Sequence, residues 1–310
     1  MNEKLSNDMR EFIGLTGNHD SKVAYEVISE ENKGNYMQMR IRYSGYGGDM
    51  IRAFILIPKG TGPFPAVLIH HQHNGERFLG KSEVCGLIGD QYQAFGPILA
   101  NCGVMVLAPD SICFEDRRVG YNDFGIEPNE EKDWLQHYNE MCYRLLAGET
   151  LMKKVLEDAA ISISLLRLHP LVDPCRLGIL GHSYGGNTVL FQGALDSRIK
   201  FGCSSGAAAS FKNRIQNGTG IEMASTIPGF NQDYDIDDLV KCFAPRNLLL
   251  VSATNDKYSK DSENIYDKAI KEYEKMGATD ALVHKRFEGE HRLDKERFEV
   301  IVDWIISQCK

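Results

Sequence analysis

The sequence predicts an α/β fold in which a mostly parallel central sheet is flanked by helices. Two continuous apolar runs, at residues 66–71 and 104–109, are typical of strands buried on both faces of a sheet. From residue 64 onward such strand patterns alternate with helical patterns, which is typical of parallel βαβ units. The 310 residues contain no repeat and no low-complexity linker, so we expect one domain over residues 1–310.

The other elements follow from their periodicity and from the residues that bound them. Residues 1 to about 30 are expected to form a helical extension. Strand patterns at 36–45 and 50–58 are joined through a Gly-Gly-Asp turn, which predicts an antiparallel pair. A helix closed by Gly103 separates the two buried strands. The predicted order then runs helix 149–168, strand 176–180, helix 187–195, strand 199–205, strand 247–253, helix 262–277, strand 281–287 and a last helix from about 293 to 308.

Two long segments interrupt this alternation, at about 110–148 and 206–242. Connections of this length inside a compact domain are usually functional loops or lids. Both segments are rich in aromatic residues, which suit the wall of a small-molecule pocket. We therefore expect lid-like insertions, with Trp134, Tyr138 and Phe230 shaping the substrate pocket. The other aromatic residues in these segments are Phe114, Tyr121, Phe124, Tyr143 and Tyr234.

Composition excludes several classes of protein. A net charge of −8 without a Lys/Arg-rich run argues against nucleic-acid binding. No run approaches the ~20 apolar residues of a membrane helix, and the polar N-terminus does not resemble a secretion signal. Eight scattered cysteines without a CxxC pair indicate free thiols in a reducing compartment. We expect a soluble, cytoplasmic protein without a metal or organic cofactor. The sequence is compatible with a homo-oligomer.

The segment GHSYGG, residues 181–186, marks a sharp turn between a buried strand and a helix. Glycines at 181 and 185 allow strand and helix to approach closely and allow a strained backbone at Ser183. This setting predicts an exposed nucleophilic hydroxyl. The backbone N–H of Tyr184, at the start of the helix, would point towards a developing negative charge. An idle serine in a glycine-rich turn is the alternative.

A serine nucleophile requires a base and an acid that orients the base. In a doubly wound sheet these groups lie at the carboxyl ends of later strands. Asp256 ends one such strand, and His291 follows the next strand beyond Gly289. We predict Ser183, Asp256 and His291 as a triad. The competing residues are Asp261, Asp235, Asp237 and Asp238 for the acid and His284 for the base.

These motifs carry a family resemblance. GHSYGG, TND at 254–256 and GEH at 289–291, with the order of strands from about 35 to 309, resemble the α/β-hydrolase fold. PFPAVLIHHQHNG, ILANCGVMVLAPD and SATND are most similar to the dienelactone hydrolase and acetyl-xylan-esterase-like branch. The resemblance implies hydrolysis of a carboxylic ester or lactone through an acyl-serine, whereas dienelactone hydrolases proper carry cysteine at the position of Ser183. It also implies a second oxyanion donor after the third strand, His73, with Gln72 as the alternative.

Two polar groups have competing interpretations. His70, His71 and His73 could bind a metal, but no carboxylate or cysteine ligand lies at matching spacing, so we favour a strand end that supports the oxyanion site. Arg117 and Arg118 lie in an ion-rich loop and either form ion pairs there, meet an acidic substrate group or hold the lid. His182 is expected only to support the nucleophile by packing.

The sequence thus predicts a serine esterase with a Ser-His-Asp triad that acts on a small-molecule ester. One alternative is a peptidase or amidase similar to the prolyl-oligopeptidase-like enzymes. The other is a catalytically inactive member that binds a ligand or partner.

Overall fold

The computed structural model describes residues 2–17, 21–73, 75–118 and 129–310. Its strands form a nine-stranded sheet in the order β1-β2-β3-β5-β4-β6-β7-β8-β9. The strands are β1 (Tyr25–Asn32), β2 (Tyr36–Ser44), β3 (Met50–Pro58), β4 (Phe64–His70), β5 (Met105–Pro109), β6 (Val172–His182), β7 (Phe201–Ser205), β8 (Asn247–Ala253) and β9 (Leu282–Phe287).

Helices cover both faces of this sheet. They are α1 (Glu3–Ile13), α2 (Lys81–Val84), α3 (Phe95–Asn101), α4 (Glu130–Leu146), α5 (Leu151–Arg167), α6 (Tyr184–Leu195), α7 (Phe211–Gln216), α8 (Phe230–Asp233), α9 (Ile236–Phe243), α10 (Ser262–Lys275) and α11 (Lys295–Gln308). Among the described residues, none of the helices is both long and apolar enough to cross a membrane.

The sheet is parallel from β5 through β9 and antiparallel along its N-terminal edge, where β1, β2, β3 and β5 pair. The predicted mostly parallel α/β fold is confirmed. Because parallel strands end at the same edge, the residues that follow β4, β6, β8 and β9 meet there. This edge is where the sequence predicts the site.

Apolar side chains pack into two cores, one on each face. One core joins the sheet to α1, α5, α6, α9 and α10, and includes Phe191 and Phe243. The other joins it to α3 and α11 through Leu99 and Phe298. Strands such as β6 and β8 lie between both cores: β6 is buried from Leu177 to its end, and β8 is buried except at its first residue. This double burial explains why their sequences are continuous apolar runs.

The N-terminal prediction is correct only in part. Residues 3–13 form α1, but residues 25–32 form the edge strand β1 rather than a helix. Most of β1 is exposed, so its sequence lacks the apolar alternation that indicates a strand. Its pairing with β2 defines it instead.

Both insertions contain helices. The first holds α4, and the second holds α7, α8 and α9. Residues 119–128, with Tyr121 and Phe124, lie outside the described residues. All eight cysteines are free.

Candidate active site

Ser183 occupies the turn between β6 and α6 in a backbone conformation that side chains rarely adopt. Its φ is 56° and its ψ is −117°. A side chain at Gly185 would put a Cβ 2.1 Å from the carbonyl oxygen of His70, so only glycine fits where the helix crosses β4. The strain at Ser183 is therefore maintained by packing on both sides, as in a nucleophile elbow.

Ser183, His291 and Asp256 form a continuous hydrogen-bonded chain. His291 Nε2 lies 2.8 Å from Ser183 Oγ, and His291 Nδ1 lies 2.9 Å from Asp256 Oδ1. Because a carboxylate only accepts, Nδ1 carries the proton and Nε2 accepts from the serine hydroxyl. The imidazole thus presents its basic nitrogen to the nucleophile.

Asp256 is fully buried and well supplied with donors. The backbone N–H of Tyr258 donates to Oδ1 at 2.9 Å, and the hydroxyl of Ser259 donates to Oδ2 at 2.6 Å. Burial alone would raise the pKa of Asp256, but the hydrogen bonds from His291 and Ser259 hold it below its usual value. The carboxylate therefore stays ionised beside the imidazole.

The competing acids and base have other partners. Asp261 accepts from the N–H and hydroxyl of Ser210, at 3.0 and 2.6 Å. Asp235 caps α9. Asp237 and Asp238 pair with Lys241. His284 lies within β9 and bonds the hydroxyl of Ser252 at 2.8 Å.

Three backbone N–H groups just beyond the ends of β4 and β6 are free to donate. Among the described residues, no acceptor takes the N–H of Gln72, His73 or Tyr184. His73 lines the same cleft as Ser183 and Tyr184, whereas Gln72 directs its side chain away to Glu83, 3.1 Å from each carboxylate oxygen. Of the two predicted candidates for the second donor, His73 is the one that lines this cleft.

His182 and Gly206 lie next to the ring of His291. The rings of His182 and His291 lie 4.9 Å apart, and His182 Nδ1 bonds the hydroxyl of Ser205 at 2.9 Å. Burial lowers the pKa of His182 well below its usual value, so a neutral ring supports the imidazole. A Cβ at Gly206 would lie 2.7 Å from His182 and 3.1 Å from His291. Gly206 thus leaves room for both rings.

The cleft that contains Ser183, called the catalytic cleft after its proposed role, has a volume of about 250 Å³. Its lining includes Ser183, His291, Tyr258, Asn187 and Arg214. It adjoins a second cavity of about 620 Å³ through shared lining residues, among them His73 and Glu222. Sequence reasoning missed Arg214, Glu222, Asn187 and Tyr258; for the first two, only their position in the second insertion indicates the site.

The three predicted pocket aromatics lie in different environments. Trp134 lines the second cavity and is 44% exposed. Tyr138 stacks on it, with ring centroids 5.1 Å apart. Phe230 is not at the cleft: it is 1% exposed and packs in the core against Phe191 and Phe211. Assigning Phe230 to the pocket is therefore wrong, because its side chain belongs to the hydrophobic core and does not line the cleft or the second cavity.

The histidines at the end of β4 do not converge on one point. His70 bonds Gln192, and His73 bonds Glu222 at 2.9 Å. His71 donates from Nδ1 to the carbonyl of Gln72 and accepts the N–H of Ser111 at Nε2. Burial alone would raise the pKa of Glu222, but His73 lowers it to about 2. These separate hydrogen bonds fit a structural strand end.

Asp110, Glu115 and Asp116 come close enough together to hold a metal ion. The ammonium group of Lys81 lies among them, 2.7 Å from Asp110 and 2.8 Å from Asp116, and also pairs with Glu115. Arg40 pairs with Asp116 from another side. We call these five residues the Lys81 cluster. Lysine supplies the positive charge that a cation would supply.

Arg117 and Arg118 do not line the catalytic cleft. Arg117 pairs with Asp49 and Asp158, and Arg118 pairs with Asp133 of α4 at 2.7 Å. Arg117 thus forms ion pairs within the fold, and Arg118 ties the loop after β5 to α4 within the first insertion.

The sheet order, the strained Ser183 turn and the chain order Ser-Asp-His belong to the α/β-hydrolase fold, and the chain has this fold. In structure it is similar to a putative acetyl xylan esterase of Bacteroides fragilis NCTC 9343, with a TM-score of 0.77 at 16% identity over 98% of this chain and 86% of that one. It is also similar to acetyl xylan esterase 1 of Thermoanaerobacterium sp. JW/SL YS485, with a TM-score of 0.66 at 16% identity over 100% and 99% of the two chains.

A glucuronoyl esterase of Solibacter usitatus aligns with a TM-score of 0.65 at 15% identity, over 97% of this chain and 91% of that one. In sequence, the chain is 33% identical over 158 residues to the Bacillus subtilis (strain 168) protein named "Putative hydrolase YtaP". That match covers 50% of this chain and 47%, about half, of the relative. No protein-family model matches the chain.

Proposed function

We propose that this protein is a serine hydrolase that cleaves carboxylic esters through an acyl-serine intermediate. The observation that carries the proposal is the hydrogen-bonded chain from Ser183 through His291 to Asp256 at a strained elbow. A serine, a base and a buried acid in this order supply a nucleophile, its proton acceptor and the group that orients the acceptor.

In the first half of the reaction, His291 Nε2 takes the proton of the Ser183 hydroxyl as Oγ attacks the ester carbonyl. The negative charge that develops on the carbonyl oxygen is stabilised by the N–H groups of Tyr184 and His73, or of Gln72 in place of His73. Asp256 stabilises the imidazolium. His291 then donates its proton to the leaving alcohol, and the acyl group remains on Ser183.

In the second half, water replaces the alcohol. His291 takes a proton from the water as it attacks the acyl-serine, and the same backbone donors stabilise the second tetrahedral intermediate. The proton returns to Ser183 Oγ, and the acid product leaves. Neither half requires a metal ion or an organic cofactor, so we expect full activity after chelation.

The similar structures support ester cleavage, since they include proteins described as acetyl xylan and glucuronoyl esterases. The small volume of the cleft favours short acyl or alcohol groups beside Ser183. We also propose that the protein is cytoplasmic, because its eight free cysteines suit a reducing compartment. The sequence resemblance to the dienelactone hydrolase branch remains a prediction.

The test is Ser183→Ala together with active-site labelling. The variant should fold and lose ester hydrolysis by a factor on the order of 10⁶, because triad residues act as a unit. A fluorophosphonate probe should label Ser183 of the wild type and leave the variant unlabelled, as read by peptide mass spectrometry.

Acetyl esters, lactones and anilides should be compared in the same assay. Labelling of another serine, or unchanged ester hydrolysis in Ser183→Ala, would refute the proposal. Faster cleavage of anilides than of the matched esters would favour the peptidase or amidase alternative, and labelling without turnover of any substrate would favour an inactive binding member.

A further inference from the structure

Arg214, on α7, places a guanidinium group in the lining of the catalytic cleft. The residue is only 3% exposed. It donates to the carbonyl oxygens of Ala209 at 3.2 Å and Ala207 at 2.9 Å, and to Asn187 Oδ1 at 3.2 Å. All three acceptors are neutral. Among the described residues, no carboxylate forms an ion pair with Arg214, and no acceptor takes its remaining nitrogen, Nη1.

This environment is unusual for a buried cation. An ionised group inside a protein is normally paired with an opposite charge, because desolvation is costly. Three other buried arginines follow this rule: Arg117 pairs with Asp158, Arg198 with Asp196, and Arg297 with Asp294. Arg77, which lines the second cavity and donates to His137, is a further exception among the described residues. Burial lowers the pKa of Arg214. Glu222 and Asp256 oppose this shift from a distance, but neither forms an ion pair with Arg214.

The nearby carboxylates are already engaged. Glu222 pairs with His73, and Asp256 pairs with His291. Arg214 thus places a positive charge in the cleft that has no carboxylate partner among the described residues. Asn187 connects Arg214 to the nucleophile. The side-chain amide of Asn187 donates to the carbonyl of Ser183 at 3.3 Å, and its oxygen accepts from Arg214. These two hydrogen bonds hold the guanidinium in place relative to Ser183.

We propose that Arg214 binds a carboxylate carried by the substrate, so that the site prefers esters whose acyl or alcohol part bears a second, ionised carboxyl group. This inference rests on the proposed ester hydrolysis at Ser183. Nη1 offers two N–H donors, so it binds one oxygen of the carboxylate through charge-assisted hydrogen bonds. The buried guanidinium then gains the counter-charge that the protein does not supply.

Two matched pairs of esters test the charge preference. 4-Acetoxybenzoate and 4-acetoxybenzamide differ only in a charge on the alcohol part. Monomethyl succinate and methyl succinamate differ only in a charge on the acyl part. In at least one pair, the wild type should hydrolyse the anion with a kcat/KM about tenfold or more above that of the amide.

Arg214→Gln should bring this ratio close to 1, and Arg214→Lys should retain part of it because the charge remains. Arg246→Gln is a matched control, since Arg246 also donates to backbone carbonyls, among them those of Gly193 and Ile199, but does not line the cleft. Its ratio should equal that of the wild type. Melting temperatures of all variants separate a folding defect from a change of preference.

A ratio near 1 in both pairs for the wild type would overturn the inference and leave the serine hydrolase proposal intact. Equal loss on charged and neutral esters in Arg214→Gln would also overturn it, by making Arg214 a support for the loop after β7. If that variant does not fold, inhibition of phenyl acetate hydrolysis by the wild type decides. Succinate should inhibit more strongly than succinamide, and equal inhibition would count against the inference.

Discussion

Two buried, charged regions lie beyond the carboxyl ends of β5 and β6, which flank β4 in the sheet, and their charges are paired differently. In the Lys81 cluster, which surrounds the loop after β5, an ammonium group faces three carboxylates and Arg40 supplies further positive charge. Burial alone would lower the pKa of Lys81, but Asp110 and Glu115 raise it above its usual value. Each charged side chain of the cluster thus faces an opposite charge, although Asp116 Oδ1 has no hydrogen-bond partner among the described residues.

The catalytic cleft, beyond β6, contains hydrogen-bond donors that are available to a ligand. The N–H donors of Tyr184 and His73 and the Nη1 of Arg214 have no acceptor among the described residues. Buried polar groups with complete partners hold a fold together, whereas buried groups with spare donors are poised for a ligand.

Burial of charge by itself therefore does not identify a site. Incomplete pairing alone does not either, since Gln93 Nε2 and Tyr273 Oη also lack a partner among the described residues. The cleft combines unpaired donors with an open cavity beside Ser183 and His291.

The largest expected effect tests the cleft. Asp256→Asn should lower kcat/KM by about 10⁴, because an amide at this position holds the imidazole in the wrong tautomer. Asp261→Asn is the matched control, since Asp261 contacts Ser210 rather than His291. Steady-state kinetics on one acetyl ester measure both variants. A larger loss in Asp261→Asn would assign the acid to residue 261 and reject a triad that contains Asp256.

The next effect tests the Lys81 cluster. Lys81→Met should reduce the free energy of unfolding by about 3–5 kcal/mol, because three buried carboxylates lose their shared cation. Urea denaturation measures this loss. Lys33→Met, which breaks the exposed pair with Glu31, should cost no more than about 1 kcal/mol. Lost activity at unchanged stability in Lys81→Met would mean that the cluster belongs to the catalytic machinery.

A third buried group, His137 on α4, packs on Phe114 and accepts a hydrogen bond from Arg77. Burial lowers its pKa from 6.5 to about 4. Because the unfolded chain binds the proton at higher pH than the folded one, stability is lost as the pH falls from about 7 towards 4.

Between pH 7 and pH 5, the wild type should therefore lose about 2 kcal/mol more than His137→Gln, which has no titrating ring. Denaturation curves at the two pH values give the difference. Between pH 7 and pH 8, the two proteins should change in parallel. Parallel behaviour down to pH 5 as well would show that the buried ring does not remain neutral.

The smallest effect concerns the second cavity. Trp134→Ala should lower kcat/KM for bulky aromatic esters by up to about tenfold relative to acetyl esters, with little change in melting temperature, because the ring is half-exposed at the cavity wall. Phe230→Ala should instead cost about 3–5 kcal/mol of stability and leave the ester preference unchanged. Equal effects of Trp134→Ala on all esters would remove it from the substrate path.

The sequence by itself determined the fold class and indicated which residues meet at the site. GHSYGG combines the end of a buried strand, the glycines and the start of a helix within six residues, so a local pattern is enough to indicate the elbow. Asp256 and His291 each follow a buried strand, and parallel strands end at one edge. These signals are local or follow from strand order.

Tertiary structure alone decided the direction and pairing of side chains. Strand β1 is exposed and exists through its pairing with β2, which residues 25–32 do not reveal. Trp134 and Phe230 are both aromatic residues of insertions, yet one ring faces a cavity and the other the core. Arg214 is one polar residue in a polar segment, and it gains meaning only because folding buries it beside Ser183 with neutral partners. Such pairing depends on contacts between residues far apart in the chain, which no local pattern encodes.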